Sequence, residues 1–319
     1  MKKIVPYIAV VVAMLLWAGA GIAVKEALIV FTPLTLIVLR FSLAVLLMAI
    51  VGGLCKNNDI LGLQRVDKKH LPLFVLGGLF QPFLYFIFET YTYQSFASPT
   101  IAEAMLSTQP IMAPLFAWLL LREGITKNNI LGIIVSTVGM LLLLLVGSDN
   151  YNLGNPWGIL LAILTVSMSV SYSVVLRRIP TRYSSLTIVF YVQSFALLLF
   201  IPLWGIVDSS EVLSLFCCKS AARITEIASA EQWTKSLLSV GYLAVFASVT
   251  AFVLFCYTVR KIGVTRANVF NNVRPVFTAL LMLCIAGEVL PFWKLLGIIL
   301  IIIGLFISQK TAKQTANTP

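Results

Sequence analysis

The chain has 319 residues, of which 60% are hydrophobic and only 11% charged, with a formal net charge of +11. A soluble domain carries about 25% charged residues, so the apolar excess here has to face lipid rather than water. The positive balance does not mark nucleic-acid binding, because Lys and Arg are scattered singly between apolar runs instead of being gathered on one face.

Lys2-Lys3 and the apolar run after them imitate a signal peptide. The run from Ile4 to Val24 is about 20 residues, long enough to cross the ~30 Å hydrocarbon layer, so it reads as a retained first helix. Further apolar runs lie near 33–54, 71–94, 99–121, 129–147, 156–176, 186–207, 236–259, 265–286 and 292–308. Each is long enough to span as a helix, the one open-chain structure that satisfies its own backbone in lipid. The predicted fold is an all-α integral membrane protein of ten transmembrane helices. A longer outer loop is expected at about 208–235, where apolar residues at roughly helical spacing suggest a short surface helix. The polar tail 309–319 is expected to be disordered.

With the N-terminus inside, sixteen Lys and Arg fall on inner segments, five on outer segments, and Arg40 and Arg274 within spans. That bias predicts both termini in the cytoplasm, in a cell inner membrane. The five cysteines show no metal-ligand spacing, and His70 is the only histidine. No metal, no cofactor and no catalytic Cys/His pair is therefore expected. No phosphate-binding Gly-x-x-x-x-Gly-Lys-Ser/Thr motif is present either.

The two halves repeat. A shift of about 165 residues aligns the fourth and fifth spans with the ninth and tenth: Thr100 meets Thr265, Pro110 meets Pro275, Glu123 meets Glu288, Gly132 meets Gly297 and Gly139 meets Gly304. A shift of about 152 pairs Thr32 with Ser184 and Thr35 with Thr187 in the second spans. Five spans is an odd number, so residues 1–147 and 148–308 form two inverted five-helix repeats, an arrangement typical of secondary transporters.

Pro110 and Pro275 are expected to break their helices near mid-membrane, beside polar residues at matching depth: Ser107, Thr108 and Gln109 in one half, Asn271, Asn272 and Arg274 in the other. These are the candidate substrate-binding residues, joined by Trp17 and Tyr85, which can stack an apolar or aromatic group. The alternative for the polar set is ordinary hydrogen bonding between helices. Arg274 is the candidate anion binder. Arg40, Glu89 and Glu103 are candidates for proton coupling or for structural ion pairs, since a charge at the bilayer centre costs ~3 kcal/mol and needs a partner.

The mid-helix prolines, the Glu after each fourth span, the paired glycines of the fifth and tenth spans and Arg40-Phe41 in the second together resemble the EamA family of the drug/metabolite transporter superfamily, over essentially the whole chain. In the second half Val192-Gln193 stand where the Arg-Phe pair would be. The resemblance implies a transporter whose first four helices in each half surround a central cavity, with the fifth and tenth packed outside. It also favours export. The expected function is secondary transport of small metabolites (amino acids, related organic acids or amphiphilic compounds) by alternating access. The expected partners are a small-molecule substrate and the lipid bilayer, with a homodimer left open and no nucleic acid. A lipid-handling flippase is the rival reading. A membrane enzyme is disfavoured by the single histidine and the sparse loop carboxylates.

Overall fold

The computed structural model describes residues 4–55, 62–95, 106, 109–122, 124–145, 156–207, 229–286 and 292–309, and among these the regular structure is entirely helical. In chain order the helices are α1 (Val5–Ala27), α2 (Pro33–Leu54), α3 (Leu71–Gly78), α4 (Tyr85–Ser95), α5 (Gln109–Leu121), α6 (Lys127–Leu145), α7 (Pro156–Arg178), α8 (Ser185–Val207), α9 (Ala230–Tyr242), α10 (Phe252–Ile262), α11 (Val264–Val269), α12 (Arg274–Ala286) and α13 (Phe292–Gln309). A π-helical segment, Leu79–Leu84, joins α3 to α4, and a second, Leu243–Ala251, joins α9 to α10. A 3-10 turn, Phe270–Val273, joins α11 to α12.

Six helical runs are long and apolar enough to cross a membrane: Val5–Val24, Pro33–Leu54, Lys68–Glu89, Pro156–Arg178, Ser185–Val207 and Ala230–Ile262. Shorter apolar helices lie at Met112–Leu121, Lys127–Leu142 and Leu295–Ser308. The chain is a multi-pass membrane protein.

The local chemistry that starts the helices recurs along the chain. Thr32 caps α2, its Oγ1 accepting from the Thr35 N–H at 3.3 Å. Ser184 does the same for α8, its Oγ accepting from the Thr187 N–H at 3.1 Å. A shift of 165 residues carries Gln109–Leu121 onto Arg274–Ala286. Pro275 follows the 3-10 turn that joins α11 to α12 in one helical run, so the irregularity expected there is this tighter turn. Residues 107 and 108, which precede the helix of Pro110, lie outside the described residues. The proline inside the third span is Pro82, which follows a cis peptide bond, and Gln81 before it has non-helical angles (φ −148, ψ 119).

Sequence analysis started the eighth span near 236, with Lys235 in the preceding loop. Instead α9 begins at Ala230, capped by Ser229 in a reciprocal capping box with Gln232. Its first turns are polar, with Glu231 paired to Lys235 at 2.7 Å, so an apolar run cannot locate them. The segments 208–228 and 310–319, where the surface helix and the tail were expected, lie outside the described residues.

The packing is reciprocal between early and late elements. Helix α1 packs on α9, the second π segment, α10 and α12, while α7 packs on α3, the first π segment, α4 and α5. Helix α2 lies against α8, and α6 against α13. In the α6–α13 pair the backbones touch. A Cβ on Gly132 would sit 2.5 Å from the Gly304 carbonyl oxygen, and one on Gly304 would sit 2.6 Å from the Gly132 oxygen. Asn129 closes one end of this seam, donating to the Ser308 carbonyl at 2.8 Å. Small residues are what allow apolar helices to associate when lipid removes the hydrophobic drive between them.

Gly304→Ala is expected to cost about 1–3 kcal/mol by forcing these backbones apart. Gly53→Ala, with nothing within 4 Å of the added carbon, is the matched control. Thermal unfolding of the purified protein in detergent should show a lower midpoint for the first and none for the second.

Candidate functional site

The second π segment is the element around which the polar side chains of the interior gather. A π turn breaks the regular i→i−4 ladder, and at membrane depth the carbonyls it displaces need partners from elsewhere in the protein. Two side chains provide them. Trp17 Nε1, on α1, donates to the Ala247 carbonyl at 3.1 Å. Gln193 Nε2, on α8, donates to the Ser248 carbonyl at 2.5 Å. Gln193 and Ser248 are both fully buried.

Ser248 also receives the one buried arginine among the described residues. Arg40, on α2 and 5% exposed, donates from Nε to Ser248 Oγ at 3.0 Å. Its guanidinium lies 5.0 Å from the centre of the Phe41 ring and 4.8 Å from that of Phe86, a cation–π arrangement in a dry setting. Glu89 and Tyr85, both on α4, interact electrostatically with the same charge. The two are linked to each other, Tyr85 donating its hydroxyl to Glu89 Oε1 at 2.8 Å. Helices α2, α4 and α8 and the π segment thus converge on one cation.

An aromatic wall continues from Ser248 toward α10. Trp17 contacts Phe252 and Phe255, each at 5.3 Å between ring centres, and Tyr172 of α7 contacts Phe252 at 6.3 Å. The Tyr172 hydroxyl and Gln193 Oε1 are buried polar atoms with no hydrogen-bond partner among the described residues. A buried polar atom left unpaired costs about 1–3 kcal/mol, so both are poised for a polar group placed between the helices.

The residues flagged from sequence fall into three groups. Arg40, Glu89, Tyr85 and Trp17 come together as described. Gln109, on α5, is buried, and Arg274, at the corresponding position of α12, is half-buried. Asn271 and Asn272, although adjacent, part company. Asn271 Nδ2 donates to Asn268 Oδ1 at 3.2 Å, and Asn268 in turn donates to Ser173 Oγ of α7 at 3.2 Å. Asn272 is fully buried and donates to Ser136 Oγ of α6 at 2.8 Å. Glu103, Ser107 and Thr108 lie outside the described residues. Gln193, Ser248 and Tyr172 were not anticipated: neutral residues inside apolar runs carry no signal of their own. Only the departure of Val192-Gln193 from the Arg-Phe pair of the first half marked that position.

The model of the EamA-like transporter family matches residues 4–145 and again residues 156–309. An uncharacterized transporter, YetK, of Bacillus subtilis (strain 168) is 26% identical, covering 100% of this chain and 91% of the relative. An uncharacterized transporter of Archaeoglobus fulgidus is 24% identical, covering 96% and 98%. The uncharacterized inner membrane transporter YedA of Escherichia coli (strain K12) is 27% identical over 62% of this chain and 58% of its own. A crystal structure superposes with a TM-score of 0.72 at 19% identity, covering 97% of this chain and 99% of the other, which is a likeness of fold.

Removing Arg40 while Glu89 stays leaves a half-buried carboxylate without the buried cation it faces, a loss of about 1–3 kcal/mol. Arg40→Gln is therefore expected to lower the thermal midpoint in detergent strongly, and Arg40→Gln with Glu89→Gln to recover part of it. A double-mutant cycle read by thermal unfolding checks the coupling.

Proposed function

We propose that this chain, which belongs to the EamA-like transporter family, is a secondary transporter of small metabolites that works by alternating access at the Arg40–Ser248 cluster. The observation that carries the reading is a buried cation in the second span tied to the eighth. A charge at membrane depth is expensive, and it is kept where it meets a substrate, an ion or a counter-charge. Cation, carboxylate and aromatic faces stand side by side in Arg40, Glu89, Phe41, Phe86 and Trp17. That combination suits a small zwitterion or organic acid with an apolar portion, such as an amino acid or a related amphiphilic compound. The unpaired Tyr172 hydroxyl and Gln193 Oε1 would take its remaining polar atoms.

The architecture we infer is ten spans in two inverted five-helix repeats, 1–147 and 148–308, with both termini cytoplasmic in a cell inner membrane. The matched helix caps, two π segments in corresponding spans and the reciprocal packing of α1 and α7 support it. A repeat interface at mid-membrane is where such transporters bind their cargo. Gln109 and Arg274, at corresponding positions of α5 and α12, extend the same reading, with Arg274 as an anion contact and Glu89 or Glu103 as the proton-coupling carboxylate. Export as the direction follows the family resemblance.

The test is solute flux from proteoliposomes loaded with amino acids, organic acids, nucleosides and amphiphilic amines, with and without a pH gradient. Selective, saturable loss of one class is expected, and Arg40→Ala or Arg274→Ala should reduce it at least about tenfold, as losing one partner of a buried charge contact does. Proton coupling predicts that Glu89→Gln or Glu103→Gln abolishes the response to the gradient. Loss of no compound under either gradient contradicts the metabolite reading and favours lipid translocation.

A further inference from the structure

Away from the buried cluster, two loops are fastened together at the face where α2 and α7 both end. Residues 62–70 lead into α3, and residues 179–184 connect α7 to α8, so the loops belong to different halves of the chain. Gln64 joins them twice: its N–H donates to Thr187 Oγ1 at 3.1 Å, and its Oε1 accepts from the Ser184 N–H at 2.8 Å. Arg182 pairs with Asp67. Arg260, at the end of α10, holds the second loop from beneath, donating to the Tyr183 carbonyl at 2.6 Å and the Pro180 carbonyl at 2.8 Å.

At the centre of the fastening stands His70, the one histidine of the chain. Its Nδ1 lies 2.9 Å from Arg182 Nη2 and 3.0 Å from the Tyr183 hydroxyl. The two hydrogens of Arg182 Nη2 go to its shorter contacts, Asp67 and the Tyr183 oxygen at 2.6 Å. The Tyr183 oxygen also accepts from the Asp67 N–H at 3.2 Å, which leaves its own hydrogen for Nδ1. The geometry is therefore that of a neutral imidazole whose Nδ1 accepts from Tyr183 and lies against the Arg182 guanidinium. Tyr183 is 3% exposed and packs edge-on against both His70 and Phe74, so the joint has little room to rearrange without parting.

We infer that this joint is a pH-sensitive latch: the 62–70 and 179–184 loops are held tightly while His70 is neutral and are loosened when it is protonated, a more separated arrangement gaining population at that face of the transporter. Protonation turns Nδ1 from an acceptor into a donor and sets an imidazolium against the Arg182 guanidinium. The charged and titratable groups facing it are Asp67, Lys68 and Lys69 on its own segment, Arg182 and Tyr183 on the opposite loop, and Arg260 of α10 behind Tyr183. Only Asp67 among them is acidic, so a second cation at the joint is not balanced. Hydrogen bonding from Arg182, with the Arg182 and Lys69 charges beside it, holds the Asp67 carboxyl below its ordinary range. The Asp67 pair therefore persists above that range and is lost only as pH falls through the lowered value, and His70→Gln distinguishes the two titrations. The latch rests on the alternating-access reading above, but the separation of the loops can be measured without any transport.

The experiment places spin labels at Lys68→Cys and Thr181→Cys, both exposed, in the full chain with its native cysteines replaced and reconstituted in nanodiscs. Pulsed-dipolar distances are recorded at about pH 8 and about pH 5.5, either side of the ordinary histidine range. A short distance is expected to dominate at the higher pH, with a longer population rising about fivefold at the lower, as the loss of one hydrogen bond at a partly exposed joint requires. His70→Gln, which stays neutral and can still accept, should hold the short distance at both values. Arg182→Gln should show the longer population at both. Identical distributions at the two pH values, or a pH response that survives in His70→Gln, overturn the latch. Movement of the loops in a protein that carries no solute in the flux assay contradicts the proposed function and leaves the latch standing.

Discussion

Where α8 and the second π segment cross, the backbone is enclosed by packed helices, and the rest of the interior follows from that. Every carbonyl a helix fails to use there must find a donor within the protein. The Leu243–Ala251 segment departs from α-helical bonding, and Trp17 and Gln193 are the donors that make the departure tolerable. Once those contacts exist, α1 and α8 are fixed against the same turn. Ser248 is then held at the point where α2 can deliver Arg40 to its hydroxyl. The buried cation, its aromatic faces and the Glu89–Tyr85 pair are consequences of one irregular turn and of what is needed to satisfy it.

The seam between α6 and α13 obeys the complementary rule. Its backbone is fully helical, so nothing polar draws the helices together except Asn129 and Ser308 at one end. Contact depends on shape, and glycines allow the two backbones to approach until carbonyl oxygens stand against Cα atoms. This seam is held by shape, whereas the interior turn is held by polar contacts from α1, α2 and α8. The loops at the α2–α7 face are joined by exposed polar contacts, and such contacts are cheap to break.

Much of this was legible in the sequence, and the rest was hidden for physical reasons. Long apolar runs announce spans because lipid tolerates little else, and Thr32 and Ser184 announce helix starts because their hydroxyls sit three residues before the N–H groups they cap. Arg40, Glu89, Tyr85 and Trp17 stood out because charge and indole are conspicuous in lipid. What they touch did not, since Arg40 and Ser248 are 208 residues apart and only the fold joins them. The Leu243–Ala251 turn contains neither proline nor glycine, so no residue signals it. Before Pro275 the expected irregularity is a 3-10 turn whose own residues carry no proline to announce it. Asn271 and Asn272 looked like one polar patch, yet successive residues of a 3-10 turn point about 120° apart, as its three residues per turn require. Asn271 bonds back to Asn268 of its own segment and Asn272 reaches α6.

The central claim is that the turn holding Ser248 is reached in alternation from the two sides of the membrane. The most direct measurement is modification of Ser248→Cys, in a chain whose native cysteines are replaced, by a membrane-impermeant thiol reagent added to one face at a time. The account predicts that the thiol reacts from each face and that a bound substrate slows both reactions. Reaction from one face alone, or from neither under any gradient, would contradict it.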